Sequence, residues 1–485
     1  MHFFFKTDAN EKIGNGHLQR CLNLAEVLRN EHEITFVFCN TSNLILEEIK
    51  KKFKIIVFEG NKILLEKAKK IFKNKDHNYL ILDDYSVNYS WEKAISHYFS
   101  KVLIIGDHLN RKHHCDFYLN QNVIENKIKE SLIKKFLGTK CLLGPKYALL
   151  DKKYFKYARK EKNRVSLKNI IISFGGSDKE NLTDKVLDVL SQKKFDTFKI
   201  KVAIGKNYQY FDDLVKKYRS NKKIFFYKNL KSLASINYNS DLSIGAGGIS
   251  TWERLSLSLP SVVFLVSDNQ KVTINALQKR KTIIYAGKEK KFNKNNFESL
   301  IQLCKKNYKK IYQNMEYGKI LVDGRGTTRV KEILFPKSKL RTIIRRAKKE
   351  DLYEYYNWKN DVEVRKNSFN KKMINFKSHK KWFYNQLKFP KKNFLYVYGI
   401  KDILFGQTRL NVFNKIAKID YSIDKDFRQR GLGYKMLEQV IKKNELRNKS
   451  YVAEVKTLNT ASINIFGNLN FNILLQRNKI VFSKK

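Results

Sequence analysis

The chain has 485 residues, 42% hydrophobic and 30% charged, with 21 glycines and only 4 prolines, a balance that excludes disordered, collagen-like and disulfide-dense classes. At about 150 residues per domain the length predicts three units. Its 98 Lys and Arg against 46 Asp and Glu give a formal charge of +52, but the basic residues run through every segment without forming a tail or stripe, so the charge speaks to nonspecific association and specifies no nucleic-acid partner. The longest apolar runs, Ser261–Val266 and Ile170–Phe174, fall far short of the roughly 20 residues that span a bilayer, so no membrane segment is expected. Lys6, Asp8 and Glu11 interrupt the apolar start before a signal-peptide core forms, and secretion is not expected. Five scattered cysteines without a CxxC pair suit reduced thiols, and the expected location is the cytoplasm.

In chain order, strands are predicted at Phe3–Lys6, Ile34–Phe38, Tyr79–Leu82 and Val102–Ile105. After the polar stretch Asp151–Arg164 the pattern restarts with Asn169–Ser173, Lys199–Ile204, Lys223–Tyr227, Leu242–Ile244, Val262–Val266 and Thr282–Tyr285. These short apolar runs alternate with helix-period segments, which predicts parallel sheets in two Rossmann-like halves, 1–150 and 151–335. Phe335-Pro336-Lys337-Ser338-Lys339 breaks the pattern. A third domain, 340–485, is predicted to be α+β. Helical segments around Asp351–Trp358 and His379–Leu387 precede strands Phe394–Ile400, Leu404–Leu410 and Ala417–Ile423, then a glycine turn opening a helix Lys435–Lys443.

Two glycine-rich turns lie where strands give way to helices. Thr7-Asp8 leads to Gly14-Asn-Gly16-His17-Leu-Gln-Arg20; glycines let a backbone approach a ligand, and a helix start favours anions. Gln19 stands where a dinucleotide fingerprint needs its third glycine, which disfavours a nicotinamide cofactor. A plain glycine turn with a capping His17 fits this loop equally well. Ile244-Gly245-Ala-Gly247-Gly248-Ile-Ser250-Thr251-Trp-Glu253 offers amides for a diphosphate and a carboxylate for a ribose diol. Tight packing alone would also require such glycines, but a second glycine pair, Gly175-Gly176, occupies the corresponding place after an earlier strand. His108, His113, His114, Cys115 and Asp116 form the chain's one His/Cys-rich cluster. Adjacent ligands lack the spacing of tetrahedral zinc sites, so no metal is expected.

The Gly-x-Gly-His-x-x-Arg start, Leu82-Asp83-Asp84-Tyr85, Asp116–Gln121, Leu143-Gly144-Pro145-Lys-Tyr147, Ser173–Asp178, Gly247–Glu253, Asn269-Gln270 and Asp323-Gly-Arg-Gly326 occur in order. This series resembles the UDP-sugar hydrolases of pseudaminic acid synthesis over about residues 1–335. The resemblance implies two Rossmann-like domains in a GT-B arrangement, UDP in the cleft between them, and water displacing UDP from UDP-2,4-diacetamido-2,4,6-trideoxy-β-L-altropyranose. It makes His17 the base, places Tyr85 and Asn269 at the sugar or water, and puts Glu253 on the ribose. Asp8, Gly14, Gly16, Arg20, Gly175, Gly176, Gly248, Ser250, Thr251 and Gln270 complete the implied substrate-binding set. The chemistry is consistent: UDP leaves readily, so the site needs a base and positive dipoles more than a carboxylate pair.

Downstream, Asp426-Phe-Arg428-Gln-Arg430-Gly431-Leu-Gly433-Tyr434 is a turn whose amides and arginines suit a pyrophosphate, although a surface turn reads the same. A predicted strand, Tyr451–Val455, and Asn459-x-x-Ser462-x-x-x-Phe466-x-x-x-Asn470 follow. Over 341–482 this resembles the GNAT N-acetyltransferases, here with an α+β fold. Trp358-Lys-Asn360, Val364-Arg365, Ser368, Ile374 and His379-x-x-Trp382-Phe383 are similar to the subgroup that acetylates the 4-amino group of a UDP-linked 6-deoxyaltrosamine. The resemblance implies acetyl-CoA as cosubstrate, held by Arg428, Arg430, Gly431, Gly433, Tyr434, Asn459 and Ser462, with no tightly bound cofactor. Phe466 stands where family members often carry a Tyr, and it cannot protonate a departing thiolate. Asn470 replaces a common Gly, a mild change because Asn tolerates the left-handed region. Glu454 is where related enzymes carry a base acting through water; a surface or core-edge Glu is the competing reading.

The expectation is a bifunctional enzyme whose acetyltransferase product is the hydrolase substrate; its partners are a UDP-linked diamino sugar, acetyl-CoA and water. The alternatives are a GT-B glycosyltransferase fused to an acetyltransferase of another amino-sugar pathway and, more remotely, a basic nucleic-acid-binding protein.

Overall fold

The structure is a computed structural model describing residues 1–9, 16–58, 72, 75–160, 162–176, 178–335, 342–400, 403–443, 446 and 449–485. It divides into two compact units, Met1–Lys331 and Glu332–Lys485. Pro336–Lys339, within the predicted break, lies outside the described residues.

The first unit carries two parallel sheets. One has seven described strands: β1 (His2–Thr7), β2 (Glu33–Phe38), β3 (Lys54–Val57), β4 (Asn78–Asp83), β5 (Lys101–Ile105), β6 (Phe117–Asn120) and β7 (Lys140–Leu143), in the order β3-β2-β1-β4-β5-β6-β7. Phe3, Phe4 and Phe5 of β1 are all buried although they alternate between faces, as helices on both sides of a parallel sheet demand. The other has six: β8 (Asn169–Ser173), β9 (Lys199–Ile204), β10 (Ile224–Lys228), β11 (Leu242–Ala246), β12 (Ser261–Leu265) and β13 (Ile284–Lys288), ordered β10-β9-β8-β11-β12-β13. Both orders reverse once, between β1 and β4 and between β8 and β11. Such a switch point opens a crevice at the carboxyl ends of the strands.

The stretch Asp151–Arg164 is not merely a polar break. It contains the helix Lys152–Ala158, N-capped by Asp151, with Tyr154 fully buried. The helix Gly326–Leu334 returns to the first sheet's half. A Cβ on Gly326 would lie 2.2 Å from Ala148 O, Thr327 Oγ1 donates to Leu150 O at 2.7 Å, and Lys331 Nζ donates to Val27 O at 3.1 Å.

The second unit holds a seven-stranded mixed sheet: β14 (Ile343–Arg346), β15 (Asn393–Ile400), β16 (Ile403–Phe413), β17 (Ile416–Ile423), β18 (Ser450–Val455), β19 (Asn472–Gln476) and β20 (Lys479–Lys484), ordered β14-β15-β16-β17-β18-β20-β19. Its one parallel pair, β17 with β18, is joined only over Ile416–Lys418 and Ser450–Val452, beyond which the strands part. Phe466, Phe471 and Phe482 close the core behind them. Among the described residues no helix is long and apolar enough to cross a membrane.

Candidate functional site

His17 opens the helix Gly16–Leu28 directly after β1, and Asp83 ends β4, so the two meet at the first sheet's switch point. His17 Nδ1 lies 2.6 Å from Asp83 Oδ1. Nδ1 also lies 3.1 Å from Arg20 Nη2; the shorter approach is to a carboxylate, which only accepts, so Nδ1 is assigned the hydrogen and Nε2 the lone pair. Arg20, one helical turn on, donates from Nε and Nη2 to Asp83 at 2.5 and 2.6 Å and from Nη1 to Asp107 at 2.9 Å. Tyr85 donates its hydroxyl to Asp107, and its ring stands edge-on to His17 with centroids 4.6 Å apart. Burial works against the charge on Asp83, yet Arg20 and then His17 hold its carboxyl below the ordinary carboxylate range. One guanidinium between two carboxylates leaves a net negative charge beside His17. The side chain of His17 retains 17% exposure while Asp83 has none.

Other residues expected to touch substrate have protein partners in the structure. The guanidinium of Arg20 is consumed by the two aspartates and is 5% exposed, so it positions Asp83. Asp8 accepts the Cys39 and Asn40 amides at 2.8 and 2.9 Å and pairs with buried Lys6 at 2.6 Å; it ties the end of β1 to the turn after β2. The Tyr85 hydroxyl is engaged by Asp107. Gly14 lies outside the described residues, whereas a Cβ on Gly16 would meet nothing within 4 Å, leaving that backbone approachable. His113 is no ligand in waiting: its Nδ1 lies 2.8 Å from Glu92, a buried pair. Among the described residues no group of three or more His, Cys, Asp or Glu side chains is placed to hold a metal.

In the second sheet, Gly175 follows β8 and Gly247-Gly248 follow β11, again at the switch point. Gly175 has φ +95° with open space where a Cβ would stand. Gly176 packs against Gly205, whose Cβ would come within 2.6 Å of the Gly176 Cα, so this pair serves close backbone packing. Gly248 faces Gln270, whose Nε2 would be 3.7 Å from a Cβ there, so the structure brings the Gly247-Gly248 turn and the Asn269-Gln270 turn together. Asn269 is exposed; Ser250 is half-buried. Thr251 is fully buried and accepts from Arg254 Nη2 at 3.1 Å, so its side chain braces the loop. Glu253 accepts from the Tyr154 hydroxyl, and burial pushes its carboxyl up to about 7.

In the second unit, Gly431 adopts φ +68° at the start of the helix Leu432–Lys442 with nothing within 4 Å of a Cβ position. This is an approachable helix start that suits a pyrophosphate. Gly433 differs, since a Cβ would meet Ile465 Cδ1 at 2.9 Å; its role is helix packing. Arg428 donates to Ile423 O at 3.0 Å and to Asp361 at 2.5 Å, stapling the turn to the helix Val362–Asn367, while Arg430 lies over Phe427 at 5.2 Å. Tyr434 is half-buried in the core. Asn459 caps the helix Thr460–Asn468 by accepting the Ser462 amide, and Ser462 Oγ lies 2.8 Å from the Tyr421 hydroxyl.

The family model described as an acetyltransferase (GNAT) domain matches residues 341–472. Those residues form a GNAT acetyltransferase domain. The preceding region is similar to an uncharacterized protein of Methanocaldococcus jannaschii, 31% identical over 288 residues, which are 55% of this chain and 56% of that protein; the chain thus spans little more than half the length of this relative. It is also similar to the UDP-2,4-diacetamido-2,4,6-trideoxy-β-L-altropyranose hydrolase of Campylobacter jejuni, 25% identical over 284 residues, 58% of this chain and 97% of that protein. Among solved structures, MurG of Acinetobacter baumannii aligns with a TM-score of 0.51 at 11% identity, covering 69% of this chain and 99% of that one. The first unit therefore has a GT-B fold of the MurG type.

The GNAT domain fits acetyl-CoA through the open Gly431 turn and the gap where β17 leaves β18. Glu454 does not suit a base. Lys418 and Lys479 both close on its carboxylate and hold it below the ordinary range, which lowers its basicity. Phe466 is 1% exposed in the core, and Asn470 takes the left-handed conformation at φ +57°.

Sequence reasoning left Asp107 and Asn122 out of the site. The available signal was their position just past β5 and β6, where crevice-lining side chains of such sheets emerge.

Proposed function

We propose that the first unit hydrolyses a UDP-linked diacetamido sugar of the pseudaminic acid type, and that the GNAT domain acetylates the 4-amino group of its UDP-sugar precursor. The observation carrying the hydrolase is the His17–Asp83 pair at the switch point, 2.6 Å apart and backed by Arg20; the likeness to the Campylobacter hydrolase supports the choice of sugar. The nucleotide lies along the Gly175, Gly247-Gly248 and Gln270 turns, with Glu253 on the ribose. Water attacks the anomeric carbon as the bond to UDP breaks, the electron pair passing to the diphosphate. His17 Nε2 takes the water's proton, and Asp83 holds the ring while it is charged. In the GNAT domain the amine nitrogen attacks the thioester carbonyl, the C–S bond breaks, and CoA leaves as a thiolate that takes up the proton lost by the nitrogen, with Gly431 at the pyrophosphate.

The MurG-type fold also suits a glycosyltransferase, and one incubation separates the two. With acetyl-CoA and UDP-4-amino-4,6-dideoxy-N-acetyl-altrosamine, mass spectrometry should find CoA, UDP and the free diacetamido sugar with no acceptor added. UDP release that requires an added acceptor would replace the hydrolase by a transferase.

A further inference from the structure

The His17 cluster does not end within the first sheet. Asn122, two residues past β6, donates from Nδ2 to Asp107 Oδ1 at 3.1 Å and accepts at Oδ1 from Thr273 Oγ1 at 3.2 Å. Thr273 sits 4% exposed in the helix Lys271–Lys279, which begins directly after Gln270. Asn122 is held in place: its amide donates to Asn120 Oδ1 at 3.0 Å, and its neighbour Val123 is buried in the second sheet's core with Trp252, Ile274 and Leu277. A continuous line of hydrogen bonds therefore runs Thr273, Asn122, Asp107, Arg20, Asp83, His17, joining the helix behind the Gln270 turn to the imidazole.

We propose that Asn122 and Thr273 are positioning residues that couple occupancy of the nucleotide turn to the orientation of His17. The inference rests on the hydrolase reading. A carboxamide makes the link directional: its N–H₂ faces the aspartate and its oxygen faces the hydroxyl, so a shift of the Thr273 helix pulls on one end while Asp107 holds the other. Asp107 shares Arg20 with Asp83, so a change at Asp107 alters how tightly Arg20 holds Asp83, and with it the His17 ring. A nucleotide that seats Gln270 fixes the helix carrying Thr273. The base is then aligned when substrate is present and freer when it is not, which limits idle proton exchange at an empty site.

The test uses the full chain with Thr273→Val, which keeps the shape of the side chain and removes the hydroxyl, and with Thr273→Ser, which restores it. Thr273→Val should lower kcat for UDP release about tenfold, within the usual range of coupling between sites, and, because such coupling is reciprocal, weaken UDP binding by no more than the same factor; Thr273→Ser should recover most of both. The His17 ring signals in NMR should move when UDP is added to wild type and stay put in Thr273→Val. If Thr273→Val does not fold, Asn122→Ala, which breaks the same line from the other side, should show the same kcat loss and silent His17 signals. A variant with wild-type kcat, or with a UDP-induced His17 shift as large as wild type, overturns the coupling. A wild-type protein that binds UDP and shifts His17 but releases no UDP from the sugar nucleotide refutes the hydrolase reading while leaving the coupling in place; one that binds no UDP refutes both.

Discussion

Replacing His17 by Asn isolates the chemistry from the fold. The imidazole makes one 2.6 Å bond to Asp83, whose carboxylate also takes two bonds from Arg20 at 2.5 and 2.6 Å. The carboxamide of His17→Asn still presents an N–H toward Asp83, so the buried acid keeps its partners and the stability change should stay below about 1 kcal/mol, the scale of one ordinary hydrogen bond. What disappears is the ring nitrogen that, in the proposed reaction, accepts the proton of water. Loss of a general base costs about 10² to 10⁴ in rate, or about 2.7 to 5.4 kcal/mol of barrier at about 1.36 kcal/mol per decade. The nucleotide turns belong to the second sheet, so UDP affinity measured by calorimetry should stay within about twofold, roughly 0.4 kcal/mol. The assay is single-turnover release of UDP from UDP-2,4-diacetamido-2,4,6-trideoxy-β-L-altropyranose, followed across pH. The variant should stay low at every pH measured. Turnover within tenfold of wild type removes His17 from the mechanism, and a parallel loss of UDP affinity would move it to the nucleotide.

Glu253→Ala should weaken UDP binding by about 1 to 3 kcal/mol, the scale of charge-assisted hydrogen bonds; unchanged calorimetric affinity would place the ribose elsewhere. Burial raises Glu253 from 4.5 to about 7, so between those values the folded chain keeps a proton that the unfolded chain has released. Stability should then fall as pH rises through that window, and Glu253→Gln should flatten the melting temperature against pH; a slope equal to wild type would locate the titration in another group. In the GNAT domain, Gly431→Val should abolish acetyl-CoA binding in a direct titration, whereas Gly433→Val should act mainly on stability, by about 1 to 3 kcal/mol, because its Cβ meets Ile465. Equal losses of binding at similar melting temperatures would show that both glycines face the ligand. Ending the chain before Asp323 should destabilise the first unit, because Thr327, Arg329 and Lys331 bond back to Leu150, Lys146 and Val27; a truncated protein with the melting temperature of residues 1–335 would refute that role.

The two parallel sheets were legible as alternating runs because a strand covered on both faces must be apolar along its length, as Phe3–Phe5 and Ile170–Ile172 are. The strands missed from the first sheet, β3, β6 and β7, are four residues each and start on exposed or half-buried residues, so the long apolar run that marks β1 is absent. β14, β19 and β20 lie at or toward the sides of the last sheet, and the five residues of β19 are all exposed, so no burial pattern marks that strand in the sequence.

Polar residues beside glycine turns have protein partners that the sequence did not show. Asp8, Arg20, Thr251, Arg428 and Asn459 look like ligand contacts in the sequence, but each is spent on a protein partner. Local order along the chain was enough to say where strands end, where only glycine fits, and that His17 stands at a helix start after the first strand. Which side chains His17 answers to was settled by packing alone. Asp83 lies 66 residues from it, Asp107 lies 87 from Arg20, and Thr273 lies 151 from Asn122. A desolvated polar group must find its partner wherever packing brings one within about 3 Å, and sequence spacing carries no record of that distance.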